Sequence, residues 1–309
     1  MRALVTGGAG FIASHLEDLL IENGWDVIGV DMSDDVRNVA HLMNNDSFEY
    51  HKIDINDKNA LRDASEGCDF VFHLAANSDI RAGNENAEID FRNTFMTTKN
   101  VLDVMIENGI KNIFFSSTSA IYGDKLGVNL KEDEGDLRPL SHYGAYKLAS
   151  ESIISSYTHM YSLNSLIFRF PNVVGPRLTH GVIFDFIKKL RKNPNELEIL
   201  GNGLQNKQYV HVLDLAKGIV SFSERIEEGM SIYNISTDSF IDVNKIADIV
   251  CEGMGLKDVR YKYTGGSVGW KGDVPSFSYD IGKAESKGWE FEYDSEQSVR
   301  ETVKAVLEE

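Results

Sequence analysis

Thr6-Gly7-Gly8-Ala9-Gly10-Phe11-Ile12-Ala13 is the stretch on which the reading of this chain turns. It directly follows the short apolar run Ala3 to Thr6 and opens an amphipathic stretch from Ile12 to Asn23, which predicts a strand, a tight turn and a helix in succession. Glycine suits such a turn because a side chain would block the bend and keep a phosphate group from the amides at the helix N-terminus. Gly7, Gly10, Phe11 and Ile12 are therefore candidate ligand contacts, and Ala13 is small enough for the helix to pack closely on the strand. A glycine-rich turn alone often does no more than reverse a chain, so its flanks decide.

Asp31 ends the next predicted strand, Asp26 to Asp31, about twenty residues beyond Gly10, where a carboxylate can accept both ribose hydroxyls of an adenosine. The same charge repels a 2′-phosphate, and Met32-Ser33-Asp34-Asp35 offers no adjacent cation to hold one, with Arg37 the only nearby candidate. The expected cofactor is thus NAD rather than NADP. Taken alone, Asp31 reads equally well as a solvated strand-end carboxylate.

Outward from this turn, short β-rich runs alternate with helical stretches. Strands are expected at Phe48 to Ile53, Asp69 to Ala75, Asn112 to Ser117 and Ser165 to Phe170, and helices at Lys58 to Glu66, Glu85 to Asn108 and Tyr143 to Tyr161. This is the pattern of an α/β fold, a Rossmann-type doubly wound parallel sheet covered on both faces. After Pro176 the regularity weakens: a helix near Val182 to Lys192, strands near Leu197 to Leu200 and Gln208 to Val212, and helices near Asp214 to Ile226 and Val243 to Met254 suggest a smaller C-terminal α/β lobe that binds substrate. The expected division is residues 1–174, with a returning segment near 205–232, and residues 175–309.

The 309 residues, 42% of them hydrophobic, suffice for a continuous core. With 31 Lys and Arg against 48 Asp and Glu, the net charge of -17 repels nucleic acid and anionic lipid, so neither is expected as a partner. Cys68 and Cys251 stand far apart, with no cluster at metal-binding spacing, so no disulfide framework and no metal are expected. No leader or membrane-spanning run is apparent, and a reducing cytoplasm fits. Glu132, Asp133, Glu134 and Asp136 read as a solvated acidic loop.

Tyr143 and Lys147, four residues apart in a predicted helix, rise on one face. A phenol has an ordinary pKa of about 10, so a base working near neutrality needs its anion stabilised by about 4 kcal/mol, which Lys147 and a positively charged nicotinamide ring can supply. Ser116-Ser117-Thr118 sits where the preceding strand emerges at the carboxyl edge of the sheet, and Thr118 can donate to a substrate oxygen beside Tyr143. A Tyr–Lys spacing of four is common on helix surfaces, and hydroxyls often merely cap a strand. The three signals in this order carry the weight.

The chain resembles an extended short-chain dehydrogenase/reductase, and within that family it is similar to UDP-glucose 4-epimerases. The likeness runs along nearly the whole length, through TGGAGFI at Thr6 to Ile12, Asp31, Asp54-Ile55, HLAA at His73 to Ala76, Asn93, SSTSAIYG at Ser116 to Gly123, YGAYK at Tyr143 to Lys147 and NVVGPR at Asn172 to Arg177. It implies Tyr143 as base, Lys147 as its electrostatic partner and ribose ligand, and Thr118 as hydrogen-bond donor. It further implies Asp54 and Ile55 about the adenine, with Leu74, Ala75, Ala76, Asn93, Ser116 and Pro171 completing the NAD side. The implied chemistry is removal of hydride from carbon 4 of a nucleotide sugar, rotation of the 4-keto sugar and return of hydride to the other face, with NAD retained.

Family members that eliminate water or carbon dioxide resemble one another in carrying an acid just after the catalytic threonine; here Ser119-Ala120 follows, which favours simple epimerisation. The resemblance places Asn172, Val182, Ile183, Leu200, Lys207, Trp270 and Asp273 on the nucleotide-sugar side. Lys207 and Trp270 stand where arginines are common, and a lysine offers a point charge without a bidentate fork. His180 is as readily structural as a ligand contact, and Phe277 would restrict N-acetylated sugars. Relatives commonly dimerise through a four-helix bundle, and the stretches Asn93 to Met105 and Tyr143 to Tyr157 have compatible apolar spacing. Alternatives are another nucleotide-sugar epimerase or reductase of the family, and an NAD-binding regulator without catalysis.

Overall fold

The computed structural model describes residues 1–125, 127–267, 269, 274 and 276–308. Its strands are β1 (Arg2–Thr6), β2 (Asp26–Asp31), β3 (Phe48–Lys52), β4 (Phe70–His73), β5 (Asn112–Thr118), β6 (Asn129–Leu130), β7 (Asn164–Phe170), β8 (Asn172–Val174), β9 (Glu196–Ile199), β10 (Asn206–Lys207), β11 (Tyr209–His211), β12 (Met230–Asn234), β13 (Ile241–Asp242), β14 (Arg260–Tyr263) and β15 (Ser278–Tyr279). Its α-helices are α1 (Phe11–Glu22), α2 (Lys58–Ala64), α3 (Ile80–Glu85), α4 (Ala87–Asp90), α5 (Thr97–Asn108), α6 (His142–Tyr161), α7 (Val182–Lys192), α8 (Val212–Ser223), α9 (Val243–Gly253), α10 (Gly282–Glu285) and α11 (Ser295–Glu308).

The chain divides into two compact units. The first comprises residues 1–123, 136–169 and 216–233; the second comprises residues 124–135, 170–215 and 234–309. The first is built on a seven-stranded sheet in the order β12-β7-β5-β4-β1-β2-β3. β1 pairs in parallel with both β2 and β4, and the β2–β3 and β4–β5 pairs are parallel as well. The strand order reverses between β1 and β4, and Thr6 stands opposite His73 at the carboxyl end of both. That reversal is where open α/β sheets bind ligands, because the two following loops diverge and leave a crevice.

Both faces of the sheet are covered. On one, Leu4, Ile28, Val71, Ile113 and Ile167 pack with Leu102, Met105 and Ile154 of α5 and α6. On the other, an aromatic chain runs from Trp25 through Phe70, Phe72 and Phe114 to Phe168, with the rings of Phe70 and Phe72 stacked at 4.5 Å. Burial on both faces explains why these strands read as continuous apolar runs rather than alternating ones.

In the second unit, β8 pairs in parallel with β11, and β9 with β14, while the amphipathic helix α7 buries Ile183, Phe186, Ile187 and Leu190. Among the described residues no helix is long and apolar enough to cross a membrane, and no group of three or more His, Cys, Asp or Glu is placed to hold a metal. Cys68 and Cys251 are both buried and unbonded to one another.

Several expectations are corrected. The single helix from Glu85 to Asn108 is instead α3, an extended Asn86, α4, a π-helical turn at Phe91–Met96, and then α5. Asn86 interrupts it because its side chain accepts from the backbone of Glu88 at 3.1 Å, a local bond that competes with helix continuation. The acidic loop is only partly solvated: Glu132 accepts from the backbone of Asn234 at 2.8 Å, and Glu134 from Lys125 at 2.7 Å. β12, β14 and α11 go unanticipated; β12 adds a seventh strand to the main sheet. Trp270 and Asp273 lie outside the described residues.

Candidate active site

The glycine turn has the shape that a diphosphate requires. Gly7 adopts φ +73°, and a Cβ there would stand 3.0 Å from the backbone nitrogen of Ala75; one on Gly10 would come within 2.8 Å of the Gly7 carbonyl oxygen. Gly10 caps α1 without a side-chain hydrogen bond, and the first turn holds no acidic residue. The leading amides of Phe11 and Ile12 thus form a positive end that no side-chain cap occupies. Asp31 is half-buried at the end of β2, its carboxylate accepting from Ala9 N at 3.3 Å and Ser33 N at 2.9 Å. Four lone-pair positions on a carboxylate leave room for ribose hydroxyls beyond these two bonds. Cradle and acid together fit an adenine dinucleotide.

The remaining residues expected on this side are also in the first unit, except Pro171. Asp54 is exposed in the turn after β3, held by its bond to Asn56 N, and Ile55 is buried with its carbonyl accepting from Asn100 at 3.3 Å. Leu74, Ala75 and Ala76 follow β4 and are half-buried, while Asn93 lies in the π turn. Ala75 N donates to the Thr6 hydroxyl at 3.2 Å, so the two loops at the strand-order reversal are bonded to each other.

Beneath them a buried polar network settles the state of His73. The Thr98 hydroxyl donates to the Thr94 carbonyl at 2.7 Å, so at 3.0 Å its oxygen accepts from His73 Nε2. Nδ1 then accepts from the Thr6 hydroxyl at 2.7 Å, and the imidazole is neutral. Burial, with the Lys147 charge adding to it, pushes the His73 pKa down from 6.5 to about 3.

Three side chains gather at the mouth of β5. Ser141 begins α6, its hydroxyl oxygen accepting from Gly144 N at 3.1 Å, and the helix then carries Tyr143 and Lys147 on one face. Thr118 accepts from Ala120 N at 3.2 Å, and its hydroxyl is hydrogen-bonded to Tyr143. Lys147 is 2% exposed, its Nζ donating to the Ser116 carbonyl at 2.6 Å and lying 6.0 Å from the centre of the Tyr143 ring.

The electrostatics of the pair follow from burial. It pushes the Tyr143 phenol from 10.0 up to about 12, against the Thr118 bond and with the Asp90 charge adding to it. It also pulls the Lys147 amine from 10.5 down to about 7, with Glu151 opposing. By itself the site holds a neutral phenol beside an amine poised near neutrality, and added positive charge near the phenol is what draws its proton off.

Two buried carboxylates here escape the sequence reading. Asp90 is fully buried; its Oδ1 accepts from Asn77 at 2.8 Å, and its Oδ2 has no hydrogen-bond partner among the described residues. Glu151 forms a buried ion pair with Arg169 at 2.7 Å. Glu151 was discoverable, since it extends the spacing of four from Tyr143 and Lys147 by one more turn. Asp90 was not, because the expected continuous helix hid the turn on which it sits.

In the second unit, β8 starts at Asn172, which is exposed and paired in register with Tyr209, two residues after Lys207. Val182 and Leu200 are half-buried, whereas Ile183 is 1% exposed in the core of that unit. His180 is exposed beside Thr179, and the Phe277 ring packs edge-on against Tyr279 at 5.5 Å.

The chain is 34% identical over 314 residues, 97% of its own length and 96% of the relative's, to a Methanocaldococcus jannaschii protein provisionally named a UDP-glucose 4-epimerase. It is 31% identical over 312 residues, covering 97% and 94%, to the UDP-glucuronate 4-epimerase of Thermodesulfobacterium geofontis. The solved structure of Thermotoga maritima UDP-glucose 4-epimerase with UDP-glucose is similar at a TM-score of 0.89 and 30% identity, over 100% of this chain and 99% of that one. The model of the NAD dependent epimerase/dehydratase family matches residues 3–236, and the chain belongs to that family.

Proposed function

We propose that this protein is an NAD-dependent isomerase that inverts carbon 4 of a UDP-linked hexose, interconverting UDP-glucose and UDP-galactose through a transient 4-keto sugar. The observation that carries the reading is the grouping of Thr118, Tyr143 and Lys147 at the end of β5, followed by a 3-10 turn at Ser119–Ile121 that brings no carboxylate after Thr118. Bound NAD supplies the hydride acceptor and, once reduced, the donor that returns hydride to the opposite face.

The chain's own residues manage the proton. Tyr143, as the phenolate, takes it from the 4-hydroxyl, holds it as the phenol while the keto sugar exists and then returns it, and Thr118 donates to the phenolate before the first step and after the last. Lys147, fixed on the Ser116 carbonyl, stabilises that anion and binds a ribose hydroxyl of the cofactor. Gly7, Gly10 and the leading amides of α1 hold the diphosphate of the cofactor, Asp31 the adenosine ribose, and Asp54 and Ile55 the adenine. Asn172, Lys207, Val182, Ile183 and Leu200 serve the nucleotide sugar. A threonine at 118 without an acidic neighbour at positions 119 and 120 suits epimerisation better than elimination.

The test is conversion of UDP-glucose to UDP-galactose by purified protein without added NAD. The relative named for UDP-glucuronate makes that sugar the second substrate to assay. Turnover of UDP-glucuronate alone would replace the hexose while keeping the reaction. Pairing of two copies through a four-helix bundle of the stretches Asn93 to Met105 and Tyr143 to Tyr157 belongs to the same reading, and is checked by mass in solution.

A further inference from the structure

We propose that Asn38, on the segment that leaves β2, is a positioning residue for the dinucleotide: it holds the last peptide plane of the glycine turn in the orientation that presents the leading amides of α1 to the cofactor's diphosphate. The inference rests on the reading of that turn as the cofactor's cradle and not on which sugar is turned over.

The donors of the turn are engaged one by one. Gly7 N and Gly8 N donate to the Val30 carbonyl at 2.9 and 3.1 Å, and Gly10 N donates to the Gly7 carbonyl at 2.8 Å. Ala9, between them, is held by side chains: its N–H donates to Asp31 Oδ2 at 3.3 Å, and its carbonyl accepts from Asn38 Nδ2 at 3.2 Å. The first amides left over for a ligand are therefore those of Phe11 and Ile12, at the start of the helix.

The Ala9 carbonyl and the Gly10 N–H belong to one planar peptide and point to opposite sides of it. Asn38 grips one edge of that plane and the Gly7 carbonyl the other. Turning the plane off Asn38 would swing the Gly10 N–H off Gly7 and tilt the entry to α1. A plane held at one edge only has to be ordered when the diphosphate arrives, and that ordering is taken from the affinity.

Asn38 reaches Ala9 on an anchored strap. Beyond Asp31, the Ser33 carbonyl accepts from the Tyr50 hydroxyl at 2.9 Å and Asp34 pairs with Lys52 at 2.5 Å, so β3 pins the outgoing chain. A 3-10 turn follows at Arg37–Leu42, with Val39 and Leu42 buried and His41 bonded to Asp18 of α1 at 2.6 Å. The half-buried Asn38 lies between these anchors, so the fold of the strap delivers its amide to the turn.

Asn38→Leu keeps the bulk and removes the donor; Asn38→Asp keeps the shape and turns an acceptor toward the Ala9 carbonyl. The test is calorimetric titration of cofactor-free protein, well below its melting transition, with NAD and with ADP-ribose, which has the diphosphate and adenosine but no nicotinamide. Asn38→Leu should weaken both ligands by roughly three- to tenfold, the worth of one hydrogen bond, and Asn38→Asp by more. A bond that served stability alone would lower the melting temperature and leave the affinity of the folded protein unchanged. Unchanged affinities, or a loss confined to NAD, overturn the inference. Where either variant does not fold, Asn38→Ser, too short to reach Ala9, decides by the same criterion. If no UDP-sugar is turned over while both affinities fall, the substrate reading fails and this one stands; turnover with unchanged affinities overturns this one alone.

Discussion

The Nζ of Lys147 donates to the carbonyl oxygen of Ser116 at 2.6 Å, joining the second turn of α6 to the end of β5 through a backbone atom that no side-chain substitution at 116 removes. The bond holds the amine where its ring contacts are also made, 4.6 Å from the centre of Phe115 and 6.0 Å from that of Tyr143. An amine so enclosed gives up its charge readily, which is why it serves as an adjustable neighbour for a phenol rather than a fixed one.

Tyr143→Phe removes one oxygen and keeps the ring. Turnover is expected to fall by roughly a hundred- to ten-thousand-fold, the range of a lost general base, while NAD binding persists. Calorimetric titration with NAD beside an activity assay checks this, and turnover near the original rate would place the base elsewhere.

Lys147→Met keeps the bulk and removes the titration. Because burial pulls the amine from 10.5 to about 7, the folded state binds fewer protons than the unfolded chain between those values, and stability rises with pH across that window. The variant should lack this rise. Urea unfolding of both proteins near pH 7 and pH 9 measures it; parallel changes in the two would contradict a buried, neutralisable amine.

His73 works in the acid range. Its pKa is held near 3 rather than 6.5, so its contribution is fully present above 6.5 and is lost as pH falls toward 3, where the unfolded chain takes up a proton that the folded one refuses. His73→Gln keeps one donor and one acceptor for Thr98 and Thr6 but cannot be protonated. Its unfolding free energy should depend less on pH between about 6 and 4; an unchanged slope would assign the acid sensitivity to the carboxylates.

Gly7→Ala asks a β-carbon to enter the left-handed region and to approach the Ala75 nitrogen to 3.0 Å. The conformation alone costs about 1–2 kcal/mol, and relief of the contact must part the two loops proposed to hold the cofactor. NAD affinity should drop well beyond the loss of thermal stability. Equal affinity in the variant would show that the turn plays no part in binding.

Much of this was open to inspection in the sequence. Gly7, Gly10 and Asp31 sit at spacings that only a strand–turn–helix–strand unit makes useful, and Tyr143 and Lys147 are neighbours on any helix. Local regularity exposes such relations because a short segment fixes them. Asp90 escaped because Asn86 ends one helix by a side-chain bond and the π turn follows, events that apolar periodicity does not record. Arg169 escaped because it lies on a strand eighteen residues from Glu151 and looked like one polar residue in an apolar run.

By itself, then, the chain's order of residues determined the parallel sheet, the dinucleotide turn and the helix bearing the Tyr143–Lys147 pair, since each follows from backbone geometry over a few residues. Tertiary structure alone decided the protonation of those groups. Burial beside Phe115, the Ser116 carbonyl and Glu151 sets the amine, and the clamp between Thr6 and Thr98 sets His73. The cost of a charge depends on everything packed around it, and those neighbours come from strands and helices that meet only when the chain folds.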